Sequence, residues 1–353
     1  MTLVRLLLLM LGLTLLGPVQ ADDAKKLRII TWSDYVPAEV AAQFRAETGI
    51  QVELTLSNNE EMISKLRATG GAGYDLAQPS QDRILGAQQE VRIYKPIDLG
   101  KVKLEQLVPE LVDIVKNNAT VDGKLYALPY VWGAEGLVVN SKRAKIGDYT
   151  DLCKPEFKGK TAIRLKRPAL MAFALASGKD PFALYGDIKA YTALMEDVGR
   201  TLSACKGNFR FFYDNKDQLL NGVRAGEIVA AMIWDSGAWR LNRDNPDIRF
   251  VNPKSGAIAW LDTFVLPARG RNDAAAYAWI NFTMRPDIAV KIAKSIGNFT
   301  ASRGAEQLME PRLKEQFKDS FPDGFRNVKW YPAIPAGLEE IEGRILDRIK
   351  AAN

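Results

Sequence analysis

The feature that most constrains the fold is a strand–helix–strand pattern near the start of the chain. Residues 27–31 form a short, mainly apolar and β-branched run, which is typical of a buried strand. Residues 38–48 space apolar side chains at helical intervals, and Gly49 follows as a C-cap signal. Residues 50–56 alternate apolar and polar side chains like a strand. A helix that connects two successive strands predicts a parallel sheet, so we expect an α/β fold.

Aromatic and acidic side chains follow the first predicted strand, where the chain turns towards the helix. They are Trp32, Asp34 and Tyr35, with Ser33 between them. In an open α/β sheet, ligands bind at the carboxyl ends of the strands. Aromatic faces attract positive charge and a carboxylate pairs with an ammonium group, so this turn suits a small cation. The alternative is a turn whose aromatic side chains only cover the core.

Three later predicted strands also end in polar, aromatic or acidic residues, as the first strand does. The strand predicted over 74–78 is followed by polar side chains, and the apolar run 228–234 ends in an aromatic and an acid. A Gly-flanked segment over 133–136 is a candidate crossing between two lobes, and the run 257–267 is predicted to cross back. Candidate ligand-binding residues at these strand ends are Ser80, Gln81, Asp82, Trp234, Asp235, Trp260 and Asp262.

The first residues have the pattern of a secretory signal peptide. One basic residue, Arg5, precedes the apolar run Leu6–Leu16, and small residues stand before Asp22. We therefore expect cleavage after Ala21 and export to the periplasm. No later apolar run is long enough to cross a bilayer, so a mature protein without a membrane anchor is expected. The 47% hydrophobic content supports two cores of ordinary domain size.

The composition excludes several classes of function. The chain has no histidine, which rules out Ser-His-Asp and Cys-His catalysis and histidine-based zinc sites. Its 48 basic residues are scattered among 42 acidic ones, a distribution that does not indicate a nucleic-acid binder. No cofactor or metal site is predicted. Cys153 and Cys205 could form one disulfide in an exported protein or remain two buried thiols, and the sequence leaves both open.

Taken together, the strand-end motifs resemble those of the periplasmic spermidine/putrescine-binding proteins of ABC importers. The matching segments are 32–35, 74–80, 128–133, 226–234 and 260–267. The resemblance implies a type II-like periplasmic binding protein, in which two α/β domains joined by crossing hinge segments close on the ligand. It also implies that the ligand contacts are Trp32, Asp34, Tyr35, Ser80, Gln81, Asp82, Trp234, Trp260, Asp262 and Phe299.

The family pattern also implies how the chain is divided and what it works with. The first lobe is expected to comprise residues 22–134 and 258–300, and the second lobe residues 135–257 and 301–353. The expected partners are a small amine-bearing solute and the inner-membrane permease of the transporter. We expect a monomer that is not an enzyme. Two other classes stay open, namely a sensor and an exported enzyme that uses Asp34 with Asp262 as an acid/base pair.

The second half of the chain departs from this family in its charges. Lys166, Arg167, Pro168 and Ala169 stand where polyamine binders carry acids, and Arg164 is close by. One explanation is a ligand that carries a carboxylate as well as an amine, such as 4-aminobutyrate or 5-aminovalerate, with one of these basic residues as its partner. The other is a solvated basic surface, with Asp82, Asp235 or Glu135 as the acid for a short diamine. We keep a putrescine- or spermidine-like amine as the expected ligand and do not assign the chemical group at the other end of the ligand.

Overall fold

The computed structural model describes residues 25–322 and 327–351, so the predicted signal peptide lies outside the described residues. The strands are β1 (Lys26–Thr31), β2 (Gln51–Leu56), β3 (Leu76–Ala77), β4 (Tyr94–Lys95), β5 (Thr120–Val121), β6 (Lys124–Leu125), β7 (Leu128–Asn140), β8 (Thr161–Ile163), β9 (Phe209–Phe212), β10 (Ala230–Trp234), β11 (Ile248–Val251), β12 (Ala257–Phe264), β13 (Leu266–Pro267), β14 (Phe299–Thr300) and β15 (Val328–Trp330). The helices are α1 (Ala38–Thr48), α2 (Asn59–Thr69), α3 (Ile84–Val91), α4 (Pro109–Ala119), α5 (Arg167–Ala176), α6 (Ile188–Ala204), α7 (Lys216–Arg224), α8 (Asp235–Asp244), α9 (Asp273–Thr283), α10 (Pro286–Ile296), α11 (Ala305–Leu308), α12 (Pro311–Ser320) and α13 (Leu338–Ala351). Within these ranges no helix is long and apolar enough to cross a membrane.

A parallel three-stranded sheet contains the predicted strand–helix–strand unit. β1 lies between β2 and β3, and its side chains Leu27, Ile29 and Ile30 are fully buried. α1 ends at Gly49, whose φ of +74° is a left-handed conformation that glycine adopts without steric cost. Because the strands are parallel, the residues that follow β1 and β3 lie at the same edge of the sheet.

The larger sheet has eight strands and is organised by β7. Its order is β15-β12-β7-β10-β8-β9, and β11 and β14 also pair with β7. β12 and β10 run antiparallel to β7, whereas β15 is parallel to β12, and β8 and β9 are parallel to β10. These five strands therefore run in the same direction, and β12 continues beyond the carboxyl ends of β10 and β15.

Two long strands connect the lobes. The first half of β7 pairs with β12 and β14, and its second half pairs with β10 and β11. β12 leads towards the first sheet, where Val265 forms a bridge to Ala77 and β13 pairs with β4. The protein thus has the two-lobed α/β architecture with crossing segments that the sequence predicts.

The Gly-flanked crossing is one continuous strand rather than a break between two strands. Gly133 and Gly136 both lie inside β7. A Cβ atom on Gly133 would lie 2.6 Å from the Trp260 ring, and one on Gly136 would lie 2.6 Å from the Phe250 ring. Because glycine has no Cβ atom, these two positions allow large aromatic side chains to pack directly against the backbone of β7.

Two hydrophobic clusters fill the molecule. The larger contains Ile29 and Trp279 of the first sheet and its helices, and the smaller contains Phe173 of α5 and Ile345 of α13. The structure contains a disulfide in the second cluster, between Cys153 and Cys205, whose Cα atoms are 5.2 Å apart. Of the two states that the sequence leaves open, the structure has the disulfide.

Candidate functional site

The centre of the candidate site is Asp262, which lies on β12 and is only 3% exposed. The Tyr35 hydroxyl donates a hydrogen bond to its Oδ2 at 2.5 Å, and the Ser80 hydroxyl donates one to its Oδ1 at 2.5 Å. Since Tyr35 follows β1 and Ser80 follows β3, three strands contribute to this contact. Burial raises the pKa of Asp262 to about 7, although the two hydroxyl groups lower it.

Aromatic rings surround Tyr35 on the side of the first sheet. The Tyr35 ring centroid lies 6.3 Å from that of Trp32 and 5.9 Å from that of Tyr130. The indole N–H of Trp32 donates to the Gln78 carbonyl at 2.9 Å, and the Tyr130 hydroxyl donates to the Tyr35 carbonyl at 2.5 Å. These bonds fix the rings next to a buried carboxylate, an arrangement that favours a cation.

Strand register decides which other side chains face Asp262. Trp260 lies two residues earlier on β12, so both side chains project from the same face. Trp260 is paired with Gly133, and Glu135, two residues further along β7, is paired with Trp234. Because paired residues of neighbouring strands share a face, Trp260, Asp262, Glu135 and Trp234 form one row across the sheet. We call this row, together with Trp32, Tyr35 and Ser80, the cleft.

Arg164, which follows β8, adds a positive charge to this row. Its guanidinium lies 4.3 Å from the centroid of the Trp234 ring, and its Nη2 is 3.1 Å from Oε1 of Glu135. Glu135 is 2% exposed, and burial raises its pKa although Arg164 lowers it. Arg164, one of the two predicted carboxylate-binding residues, therefore lies inside the cleft and stacks on Trp234, a predicted ligand residue.

The neighbouring basic residues do not join this row. The Lys166 side chain is 52% exposed and forms an ion pair of 3.3 Å with the exposed Asp214. Arg167 pairs with Glu342 of α13 at 3.1 Å. The basic segment of the sequence is thus divided between the cleft, the surface and a contact with the C-terminal helix.

Asp235 is fully buried and its carboxylate is held by three N–H donors. It accepts hydrogen bonds from the backbone of Ala134 at 2.9 Å, from the backbone of Ser236 at 2.7 Å and from the Asn298 side chain at 2.5 Å. Burial raises the pKa of Asp235 to about 7, although these donors lower it. Its contacts hold the start of α8 against β7.

Gln81 and Asp82 form part of the short 3-10 turn after Ser80, and both are buried. Oδ2 of Asp82 lies 3.4 Å from Nε of Arg83. The Gln81 side-chain amide donates to the Tyr331 carbonyl at 3.1 Å. This turn therefore joins the first sheet to the C-terminal part of the chain.

Two predicted contacts in the first turn lie away from Asp262. Ser33 and Asp34 are exposed, and Asp34 adopts a φ of +68°. Asp34 lines a different cavity, of about 650 Å³, between α8 and α10. The turn after β1 thus places Trp32 and Tyr35 in the cleft, whereas Asp34 lies at the other cavity.

Phe299 also lies apart from the cleft. It is paired with Trp132, the neighbour of Gly133 on β7, and so projects from the opposite face of the sheet to Trp260. Its ring packs 5.0 Å from Trp132 and 4.6 Å from Phe317. The sequence does not reveal this face, because a two-residue strand has no alternating pattern to read.

Tyr331 also lies beside the cleft, although no motif in the sequence points to it. β15 runs parallel to β12 with Trp330 opposite Ala259, so Tyr331 lies beside Trp260. Tyr331 is 8% exposed, and its hydroxyl has no hydrogen-bond partner in the part of the chain that the structure describes. The aromatic pair 330–331 was a local signal, but nothing near it in the sequence connects it to the other strand ends. In the described ranges no three potential metal ligands form a group that could hold an ion.

Comparison with known proteins identifies the family. Residues 39–320 match the family of bacterial extracellular solute-binding proteins. The chain belongs to this family. The spermidine/putrescine-binding periplasmic protein of Escherichia coli (strain K12) is 32% identical to this solute-binding protein over 329 residues, which cover 91% of this chain and 90% of that one. The putrescine-binding periplasmic protein PotF of the same organism is 28% identical over 84% of this chain and 83% of its own length.

Solved structures show the same fold. The spermidine/putrescine ABC transporter substrate-binding protein PotD from Streptococcus pneumoniae, in complex with calcium and HEPES, superposes with a TM-score of 0.77 at 25% identity. The match covers 92% of this solute-binding protein and 98% of that chain. A putative spermidine/putrescine ABC transporter protein from Listeria monocytogenes gives a TM-score of 0.78 at 24% identity, covering 93% and 100% of the two chains.

Proposed function

We propose that this solute-binding protein captures a small amine, putrescine- or spermidine-like, and delivers it to an ABC importer. The observation that carries the proposal is the buried carboxylate of Asp262, whose hydrogen bonds both come from hydroxyl groups. Among the described residues, no lysine or arginine forms an ion pair with it. A buried carboxylate without a counter-ion is unfavourable, and an ammonium group supplies both a positive charge and N–H donors.

The rings near Asp262 support the same class of ligand. Trp32, Tyr35 and Trp260 offer aromatic faces that attract an ammonium group and cover the methylene groups of an alkyl amine. The relatives named above are spermidine- and putrescine-binding proteins, which favours this chemistry for the present chain as well.

Capture by closure follows from where the contacts come from. Tyr35 and Ser80 follow strands of the first sheet, Trp234 and Arg164 lie at the ends of strands of the second sheet, and Asp262 lies on the crossing strand β12. A ligand that touches both lobes binds the closed form more tightly than the open form, and this difference in affinity drives closure.

The remaining parts of the proposal concern processing and partners. The signal peptide is removed after Ala21, and the mature protein acts as a periplasmic monomer that docks on an inner-membrane permease without transforming its solute. Its first lobe comprises residues 22–134 and 258–300, and its second lobe residues 135–257 and 301–353. The periplasmic names of the relatives support the proposed location.

The proposal is tested by calorimetric titration of ligand-free mature protein with putrescine, spermidine and butylamine. Asp262→Asn keeps the hydrogen bonds to Tyr35 and Ser80 possible but removes the charge, so we expect a loss of affinity of about 100-fold. Trp260→Ala removes one aromatic face, and we expect a loss of about tenfold. Recovery of unchanged amine after long incubation would support binding without catalysis.

Circular dichroism of both variants serves as the control for folding. If the wild-type protein binds neither these amines nor 4-aminobutyrate, or if both folded variants bind as tightly as the wild type, the proposed function is wrong.

A further inference from the structure

The four buried acids that the sequence names as candidates for an ammonium group, Asp82, Glu135, Asp235 and Asp262, differ in how they are neutralised. Two of them pair with an arginine, Glu135 with Arg164 at 3.1 Å and Asp82 with Arg83 at 3.4 Å. Asp235 accepts three hydrogen bonds from N–H groups. Of these four acids in the described chain, Asp262 alone has neither an arginine nor an N–H donor as its partner. The cleft therefore offers one unneutralised carboxylate, which matches a single ammonium group.

Arg164 occupies the position that would otherwise suit a second ammonium group. Its guanidinium stacks on Trp234 and pairs with Glu135, which are the cation–π and ion-pair contacts that a ligand amine would make. A second ammonium group brought to this end of the cleft would approach a guanidinium of the same charge. Since like charges repel, this end is unfavourable for a diamine.

Three polar groups at this end of the cleft are buried and have no hydrogen-bond partner among the described residues. They are Nε of Arg164 and Nε1 of Trp260, which can only donate, and the hydroxyl of Tyr331, which can donate or accept. Tyr331 and Trp260 are neighbours across β15 and β12, and Arg164 reaches back to Glu135 on β7, the next strand. The donors thus belong to one part of the sheet. A buried donor without an acceptor is unfavourable, so this part of the cleft is suited to an oxygen with free lone pairs.

We propose that the end of the cleft formed by Arg164, Trp260 and Tyr331 binds a hydrogen-bond acceptor of the solute, such as a carboxylate or amide oxygen. The preferred solute then carries an ammonium group at one end, held by Asp262, and an acceptor oxygen at the other. This inference rests on the proposed function, because it takes the ammonium site at Asp262 as given. Within the small amines of the proposed function, it predicts a preference for ω-amino acids and ω-amino amides over diamines of the same length.

The test compares ligands that share one four-carbon chain. Wild-type protein is titrated by calorimetry with putrescine, 4-aminobutyrate, 4-aminobutanamide and butylamine, and then with the five-carbon series. We expect at least one acceptor-bearing ligand of a series to bind about tenfold or more tightly than the diamine of the same length. The carboxylate and amide ligands show which kind of oxygen is preferred.

Each outcome of this titration has one meaning. Diamines that bind as tightly as the acceptor-bearing ligands, or more tightly, overturn this inference and leave the proposed function standing. If all the ligands fail to bind, the proposed function falls and this inference falls with it.

Variants then test the named donors. Tyr331→Phe removes one hydroxyl group, and we expect it to weaken the acceptor-bearing ligand about threefold or more while leaving butylamine unchanged. The double variant Arg164→Met with Glu135→Gln removes the ion pair without leaving a buried charge, and it should abolish the preference over the diamine. Lys166→Met is the matched control, because it removes a surface cation of the same segment. A preference that survives both cleft variants contradicts the assignment.

Discussion

The two ends of the cleft contain similar residues and differ in their charge. At one end Asp262 is buried beside the ring of Tyr35 and receives only hydroxyl groups. At the other end Glu135 is buried beside the ring of Trp234, and Arg164 lies between them. An aromatic and an acid at a strand end therefore indicate a place for a cation. They do not indicate whether that cation belongs to the solute or to the protein.

The difference between the two ends is tested most directly by removing the cation that the protein supplies. Arg164→Met leaves Glu135 buried without its counter-ion, so we expect the free energy of unfolding at pH 8 to fall by about 3–5 kcal/mol. The loss should shrink as the pH falls, because burial already raises the pKa of Glu135 and the protonated acid carries no charge. Urea denaturation at both pH values measures the difference.

Two further variants control that experiment. Adding Glu135→Gln to Arg164→Met should restore most of the stability, since no buried charge is then left unpaired. Asp262→Asn should not destabilise the unliganded protein in this way, because Asp262 has no cation to lose. Equal destabilisation by Arg164→Met and Asp262→Asn would show that the two ends are not different in the manner described.

The pH dependence of binding tests the other end. Asp262 must be ionised to pair with an ammonium group, and burial raises its pKa to about 7. The affinity for butylamine, which stays protonated throughout, is therefore expected to fall by about tenfold for each pH unit below 7 and to level off above it. Titrations between pH 5 and pH 8 measure this slope, and Asp262→Asn should remove it. A slope that persists in Asp262→Asn would assign the titration to another group.

The same pKa has the opposite effect on stability. An aspartate in the unfolded chain has a pKa of about 3.9, below the raised value in the folded protein. The stabilising contribution of Asp262 is therefore complete below about pH 4 and is lost as the pH rises through about 7. Binding of an amine and stability of the unliganded protein should thus change in opposite directions over this range.

The sequence predicts the elements whose signals are local. β1, α1 and Gly49 follow from apolar spacing and one capping residue, and Trp260 with Asp262 follows from the aromatic-and-acid motif of the run 257–267. It cannot predict contacts that depend on pairing between distant segments. Arg164 meets Glu135 because β8 and β7 flank the same strand β10, and Tyr331 reaches Trp260 only through the pairing of β15. No local pattern encodes either register.

The smallest expected effect concerns the two acids Asp34 and Asp262, both of which the sequence predicts as ligand carboxylates. Asp34 is exposed, so its charge acts on a bound amine through water and salt, where such interactions are weak. Asp34→Asn is the proper test because asparagine, like aspartate, tolerates the φ of +68° at this position, whereas alanine would add backbone strain. We expect its affinity for amines to stay within about twofold of the wild type, against the loss of about 100-fold expected for Asp262→Asn. A comparable loss in Asp34→Asn would mean that the turn after β1 closes onto the solute and that the cation contacts two carboxylates of the first sheet and β12 together.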